Sequence, residues 1–412
     1  MSTLKKKIAI VGTFDTKFEE MGIIKDYVKE KGHIPIIIDA GTGYTGYQDK
    51  KLPFPPDISR DQVAEAVGST PKDILALNDD GEIITRMAQG AAKIVRDLYE
   101  KDQIDAVISV GGTMGTTVGL AVMKDLPVGL PKIMVSTIAM SPLVANGDFI
   151  AKDQVMVQMP CDLWGINVIN KNTLLNAAGA IVGMAEAATK IVPKKPLIAI
   201  TTRGHHKHAH YIKPVLEAKG YEVVVFHVVG RIGGGSYEVL VRQGLFTAVL
   251  DFVVGEILCD LNKGLCAAGP TRLEGAGEMG IPQIVSVGSM SNWHWVGGPE
   301  TFLPERTYHY HNPIVLCVKA TIKELIEGGE VIAEKLNRAK GPVTVLYPKK
   351  GWDDFDKEGG VFYFPDGHIA LLEVLKKKLK PSIKIVELDN HINDKEFSDY
   401  VIEHFDELIK KK

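Results

Sequence analysis

The sequence predicts two doubly wound α/β domains, each a mainly parallel sheet covered by helices. Short β-branched runs alternate with longer helical patterns along the whole chain, as parallel strands joined by crossover helices do. A length of 412 residues exceeds what one hydrophobic core ordinarily serves. The 41 glycines cluster just after apolar runs, where a strand-to-helix turn must bend sharply or approach a ligand closely.

In the first half the expected strands are 6–12 (KKIAIVG), 33–39 (HIPIIID), 105–111 and 132–137. Amphipathic helices are expected at 17–31, 81–101 and 114–124, with a long alanine-rich helix at 171–191. The Gly-, Pro- and Asp-rich stretch 42–60 reads as a surface excursion. The alanine-rich helix ends at IVPKKP (191–196), where a new strand, PLIAITT (196–202), begins. The expected division is therefore an N-terminal nucleotide-binding domain over 1–192 and a C-terminal substrate or partner domain over 193–412. Strands follow at 221–230, 246–252, 282–288, 313–319, 342–348 and 383–389. Both halves open alike, so two Rossmann-like units facing each other across a cleft are expected.

Composition excludes several classes. Hydrophobic residues at 45% and charged residues at 24% match a globular chain rather than a disordered or fibrous one. The formal charge of −3 is interspersed, and short basic runs such as 5–7 and 410–412 make no basic face, so no nucleic-acid partner is expected. No apolar run reaches the ~18 residues of a membrane span, and residues 1–12 hold one short strand pattern rather than a signal peptide. A cytoplasmic protein with no membrane partner is the expectation. Cys161, Cys259, Cys266 and Cys317 form no CxxC pair and read as separate, reduced core thiols.

Ligands of open α/β sheets sit beyond the strand carboxyl ends, where strand order reverses. The loops GTFDTK (12–17) and GGTMGTT (111–117) are therefore the first candidates. In the second, Gly111, Gly112 and Gly115 let the backbone curl, and Thr113, Thr116 and Thr117 offer hydroxyls to an anion at a helix N-terminus. It is neither a Walker A loop nor a GxGxxG fingerprint. In the first, Thr13 and Thr16 add donors, Lys17 a point charge, and Asp15 suits the water shell of a Mg2+. Asp39, ending the second strand, stands where an acid commonly meets ribose hydroxyls, and Thr137 closes the row. The bland alternative is that such Gly/Thr turns are ordinary helix caps.

The second half carries a different set. Loop TTRGHHKHAH (201–210) places Arg203, His205 and His206 after a strand, and Arg203 suits a carboxylate or phosphate. GRIGGGSYE (230–238), with Gly233, Gly234 and Gly235, is a further anion-binding candidate. Glu256 and His311 are the acid/base candidates. The histidines of 205–210 have no Cys or clustered carboxylate beside them, so no metal is assigned to protein side chains. NWHW (292–295) is read as packing in preference to a lid, and His391 as a possible neighbour of the cleft.

Taken in order, VGTFDTKFEE (11–20), VGGTMGTT (110–117), VSTIAMSP (135–142), LVANGD (143–148), AAGPTRLEGAGEMGIPQIVSVG (267–288), HNP (311–313) and DNHIND (389–394) resemble the Tm-1-like ATP-binding family. This is a bacterial and archaeal group related to the plant Tm-1 inhibitor of tobamovirus RNA replication. The resemblance spans nearly the whole chain. It implies ATP with Mg2+ in the N-terminal half, two Rossmann-like domains, and self-association as a homodimer or higher. Its nucleotide contacts carry over to Thr13, Asp15, Lys17, Gly112, Thr113, Gly115, Thr116 and Thr117. TTRGHHKHAH, GRIGGGSYE and GWDD (351–354) depart from the family's usual Gly-Val-Thr-Thr-Pro, Gly-Thr-Gly-Gly-Arg and Gly-Val-Ser stretches, which implies a different substrate. The expected function is an ATP-dependent enzyme acting on a small anionic metabolite in the interdomain cleft. The alternatives are a non-catalytic nucleotide-binding regulatory module, or a lyase or hydrolase of a phosphorylated small molecule.

Overall fold

The computed structural model describes residues 4–43, 54–141, 144, 153–204, 206–298 and 305–409. It divides into two units, Met1–Ile191 and Val192–Lys412.

The first unit is built on β1 (Lys7–Gly12), β2 (Ile34–Asp39), β3 (Ala106–Gly111), β4 (Lys132–Ser136) and β5 (Val155–Gln158). They form one five-stranded sheet in the order β2-β1-β3-β4-β5, with every neighbouring pair parallel. Its helices are α1 (Phe14–Glu30), α2 (Arg60–Glu65), α3 (Pro71–Leu75), α4 (Asp80–Glu100), α5 (Thr113–Lys124) and α6 (Val168–Ala187). Successive side chains of a strand point to opposite faces. Ile8 and Ile10 accordingly pack with Phe14, Leu174 and Ile181 from α1 and α6, while Ala9 and Val11 pack with Met87 and Val118 from α4 and α5. With both faces covered, β3 and β4 are buried at every position, Ser109, Lys132 and Ser136 included, and are otherwise apolar.

The second unit contains β6 (Leu197–Thr202), β7 (Glu222–His227), β8 (Phe246–Val253), β9 (Gln283–Gly288), β10 (Asn292–Val296), β11 (Tyr308–Tyr310), β12 (Val315–Lys319), β13 (Val343–Pro348) and β14 (Lys384–Leu388). Six of these form a parallel sheet in the order β14-β13-β9-β8-β6-β7. The helices are α7 (His208–Ala218), α8 (Gly234–Arg242), α9 (Glu256–Leu261), α10 (Gly275–Met279), α11 (Ile322–Asn337), α12 (Pro365–Lys378) and α13 (Lys395–Ile409). The expectation of two mainly parallel, doubly wound domains therefore holds.

Several elements differ from the reading above. The run 313–319 supplies β12, the middle strand of a small antiparallel sheet, β10-β12-β11, and not a parallel strand. Its composition suits either direction, and only its partners decide. NWHW forms β10, whose Trp293 is buried in the core. Helix α1 starts at Phe14, earlier than expected, because the Asp39 carboxylate accepts from the Phe14 amide. Helix α6 starts at Val168, where Asn167 and Asn170 cap one another reciprocally. Within the expected excursion 42–60, residues 44–53 lie outside the described residues.

In each parallel sheet the first strand lies between the second and the third, so the winding reverses between β1 and β3, and between β6 and β8. Those two points leave crevices at the strand carboxyl ends.

Close helix contact makes one glycine indispensable. A Cβ on Gly90 of α4 would stand 2.1 Å from the Val63 carbonyl oxygen of α2. Gly90→Ala should cost about 1–3 kcal/mol. Gly183 of α6 is exposed and faces nothing within 4 Å, so Gly183→Ala should gain about 0.5–1 kcal/mol. Urea-unfolding midpoints of the two variants should move in opposite directions.

Candidate functional site

In the first unit, β1 and β3 run side by side with Val11 opposite Ser109, so their carboxyl-end turns start as neighbours. A Cβ on Gly115 would lie 3.8 Å from Thr13 Oγ1, and one on Gly112 would lie 3.9 Å from Thr137 Oγ1. The turns after β1, β3 and β4 thus converge on one place. Gly111 serves packing instead, since a Cβ there would stand 2.5 Å from the Gly115 Cα and the first turn of α5 rests directly on it.

Helix α5 opens at Gly112 with no side chain capping its amides. Thr113 is exposed there. The other two threonines are engaged internally. Thr116 Oγ1 donates to Gly112 O at 2.7 Å and shares a 2.6 Å hydrogen bond with Ser136 Oγ, tying α5 to the end of β4. Thr117 Oγ1 donates to Thr113 O at 3.2 Å. Across the crevice, the Thr13 and Thr16 hydroxyls share a 2.9 Å hydrogen bond.

The N-terminus of α1 is already occupied. Asp39 Oδ1 accepts from Phe14 N at 3.2 Å and from Gly41 N at 2.7 Å, so this carboxylate turns inward, 6% exposed. Beside it, Asp15 Oδ2 accepts from Gly43 N at 2.8 Å, while Asp15 Oδ1 is buried with no hydrogen-bond partner. A Cβ on Gly41 would stand 2.7 Å from Asp15 and 2.8 Å from Asp39 Oδ1, so only glycine fits between the two acids. Burial, reinforced by the Asp15 charge, pushes the Asp39 carboxyl up to about 6 despite the hydrogen bonds it accepts. Lys17 turns elsewhere: its Nζ donates to Leu163 O at 2.8 Å and to Thr16 O at 3.3 Å.

A Mg2+ in such a setting keeps most of its waters and takes one or two carboxylates plus phosphate oxygens. The orphaned Asp15 Oδ1 fits that requirement.

In the second unit the crevice between β6 and β8 holds a buried ionic cluster around Arg272, a residue the motif reading passed over. The Arg272 guanidinium meets Asp251 at 2.5 and 2.6 Å, Glu256 Oε2 at 2.6 Å and Glu238 Oε1 at 3.4 Å. Glu256 also accepts from Gly230 N at 2.6 Å, and burial raises its pKa against the pull of Arg272 and Arg203. Gly234 makes room for it, since a Cβ there would stand 2.2 Å from Glu256 Oε2. The Gly234 and Gly235 amides both return to Gly230 O, so this glycine segment closes on itself. A Cβ on Gly233 would stand 2.1 Å from His227 O. These glycines permit close packing of buried backbone and acid.

Arg203 is 5% exposed. Its Nε donates to Val228 O at 3.0 Å, and both Nη atoms are buried without partners. Arg203 and His206 line a cleft of about 500 Å3. His206 Nε2 is 3.0 Å from Trp352 O, and His205 lies outside the described residues. His311 is exposed, its ring 6.3 Å from that of His294. His391 Nε2 is 3.0 Å from Asp353 O. Cys259 and Cys266, read as separate thiols, lie close enough to influence one another, Cys266 pushing the Cys259 thiol up and being held down in turn. The turn at Gly264, whose N donates to Cys259 O at 2.6 Å, folds one back on the other. Sequence spacing carries no sign of that turn, nor of Arg272's partners.

Comparison with known proteins places both units. Residues 6–190 match the N-terminal domain of the uncharacterised protein family (UPF0261), and residues 195–409 match its C-terminal domain. A UPF0261 protein of Clostridium tetani is 39% identical over 96% of this chain and 97% of that protein. One from Brucella suis is 34% identical over 99% of this chain and 96% of that protein. The tomato (Solanum lycopersicum) ToMV resistance protein Tm-1(GCR237) is 28% identical over 98% of this chain and 56% of that protein.

Two buried acid sites make testable demands. Asp39 holds its proton more tightly folded than unfolded, so wild-type stability should fall as pH rises from about 4 to about 6. Asp39→Asn keeps the Oδ1 acceptor and removes the charge. It should be more stable than wild type above pH 6, by up to about 3 kcal/mol, and should converge with it below pH 4 in urea titrations. Arg272→Met leaves Asp251 and Glu256 buried without their ion-pair partner, while Glu238 keeps Arg242 at 3.1 Å, and should cost about 3–5 kcal/mol at pH 7. The deficit should shrink on acidification as the carboxylates take up protons, read from the same titrations.

Proposed function

The chain belongs to the uncharacterised protein family UPF0261, and from that premise we propose that its first unit binds ATP with Mg2+ for an ATP-dependent reaction on a small anionic metabolite held by the second unit. The observation that carries this reading is the uncapped start of α5 at the crevice between β1 and β3, with Thr13, Thr113 and Thr137 around it. Helix N-terminal amides and the helix dipole attract phosphate, and Gly112 and Gly115 let it come close to the backbone. Because Asp39 already occupies the start of α1, the phosphates are directed to α5. Thr116 shapes this turn with its hydroxyl committed to Gly112 O and Ser136, and Thr117 commits its own to Thr113 O.

Asp15 Oδ1 is the protein oxygen that would hold the Mg2+, with Asp39 adding negative charge behind it. When bound, the ion neutralises charge on the phosphates. We further infer a cytoplasmic protein that self-associates as a homodimer or higher, since Trp164 and Val168 are 83% and 84% exposed beside a half-exposed Ile169. No helix among the described residues is long and apolar enough to cross a membrane. Glu256 is better suited to holding Arg272 than to proton transfer, which leaves the exposed His311 as the candidate acid/base.

A second reading, nucleotide binding without turnover, draws support from the tomato relative, whose name describes virus resistance. A third places a phosphorylated substrate of a lyase or hydrolase on the same α5 turn. Single-turnover assays with ATP and a metabolite panel separate these: substrate-dependent ADP, AMP or pyrophosphate supports the first reading alone.

Gly112→Asp tests the binding site itself. An aspartate at the helix start caps the α5 amides and places a negative charge where the phosphates would sit. The variant should be at least as stable as wild type, yet bind ATP–Mg2+ at least 100-fold more weakly, or ~2.7 kcal/mol, by titration calorimetry. Unchanged affinity would falsify the phosphate assignment.

A further inference from the structure

Two thiols of the second unit are gathered beside a buried cation. Cys259 lies on α9, after which the chain reverses: Gly264 N donates to Cys259 O at 2.6 Å, and a Cβ on Gly264 would lie 3.4 Å from the Cys259 Cα. Leu265 N donates to His294 O at 2.8 Å, which fixes the returning segment on β10. Cys266 follows in the same core cluster as Cys259, its backbone against Gly230, where a Cβ would stand 3.2 Å from the Cys266 Cα. Arg203 joins that stretch two residues earlier, its Nε donating to Val228 O at 3.0 Å. Its two Nη atoms are buried with no hydrogen-bond partner, and a guanidinium does not shed its proton in a protein. The groups that most favour the Arg203 charge are Cys259 and Cys266, followed by Glu256 and Asp353. Both acids have other partners, Glu256 in Arg272 and Gly230 N, Asp353 in Ser291 and Asn292. A fixed cation favours a negative charge beside it, which a thiol supplies by losing its proton.

We propose that Cys266 and Cys259 form an oxidation site, at which Cys266 reacts with a hydroperoxide and Cys259 then closes a disulfide. The Cys266 thiolate attacks one peroxide oxygen; an S–O bond forms, the O–O bond breaks, and the departing oxygen takes a proton to leave as water or an alcohol. Cys259 Sγ then attacks the sulfenic sulfur; the S–S bond forms, and the departing hydroxide takes the Cys259 proton to leave as water. Two thiols lose two electrons in all, and the peroxide gains them. The order of the steps follows from the surroundings. Cys266 is 8% exposed, whereas Cys259 and Cys317 are wholly buried, so a small oxidant reaches Cys266 first. The Cys266 thiol is held below its ordinary range by Cys259 and then by Arg203, against its burial, while Cys259 is pushed up by Cys266 and by burial. One thiol thus suits the attacking role and its neighbour keeps the proton that the last step needs.

Nothing in this chemistry needs the nucleotide site. The test treats the folded full chain with hydrogen peroxide, followed by thiol counting and peptide mapping by mass spectrometry. Wild type should lose two of its four free thiols as a Cys259–Cys266 disulfide that a dithiol reductant reopens. Cys259→Ser should stop at a sulfenic acid on Cys266, trapped by dimedone, and Cys266→Ser should leave Cys259 reduced. Arg203→Met should slow the first step about tenfold at pH 7 as the thiolate fraction falls. Should that variant not fold, the wild-type pH profile decides: the peroxide rate at Cys266 should level off at lower pH in the folded chain than in urea. A first reaction at the half-buried Cys161, a disulfide mapped to another pair, or a Cys266 rate indifferent to Arg203 and to folding overturns the proposal.

Discussion

A parallel sheet must be covered on both faces, and this constraint organises each unit. Antiparallel neighbours can be joined by a tight turn, but parallel ones need a helix between them, so the chain crosses over after every strand. To cover both faces the winding must reverse once, and here it does so beside the first strand of each sheet. At that reversal the helices diverge and the strand ends stand uncovered. Among the described residues, the glycine–threonine turns after β1 and β3 and the buried Arg203 and Arg272 near β6 and β8 lie there.

The two arginines of the second unit illustrate how burial sorts charges. Arg272 is satisfied on every side by Asp251, Glu256, Glu238 and a carbonyl, so it acts as a structural centre for segments far apart in the chain. Arg203 is as deeply buried and lacks such partners for its two terminal nitrogens. A charge that is paired and hydrogen-bonded can be tolerated inside a protein, and removing its partners is costly. The same distinction separates the two acids of the first unit. Asp39 accepts two amide hydrogens, whereas one oxygen of Asp15 accepts none.

Residue type alone overstated the number of donors available to a ligand. Thr113, Thr116 and Thr117 look equivalent in GGTMGTT, yet a helix turns by about 100° per residue and sends them in different directions. Thr116 goes into the core, where it meets Ser136, and Thr117 returns to its own helix. Lys17 likewise reaches Leu163, far along the chain, rather than the α5 turn. The glycines of 230–235 were legible as positions needing room, but their neighbours turned out to be the chain's own backbone and Glu256.

Local pattern by itself determined the α/β class, the alternation of strands and helices, and the turns worth watching, because hydrophobic period and glycine placement are properties of a few adjacent residues. It also located the main strands of both parallel sheets to within a few residues. Only the tertiary structure decided the strand order, the antiparallel partners of β12 and which polar groups remain without partners. Those depend on residues from several to hundreds of positions apart being brought within hydrogen-bonding distance. No local period carries that information, since a buried charge is defined by what surrounds it in space.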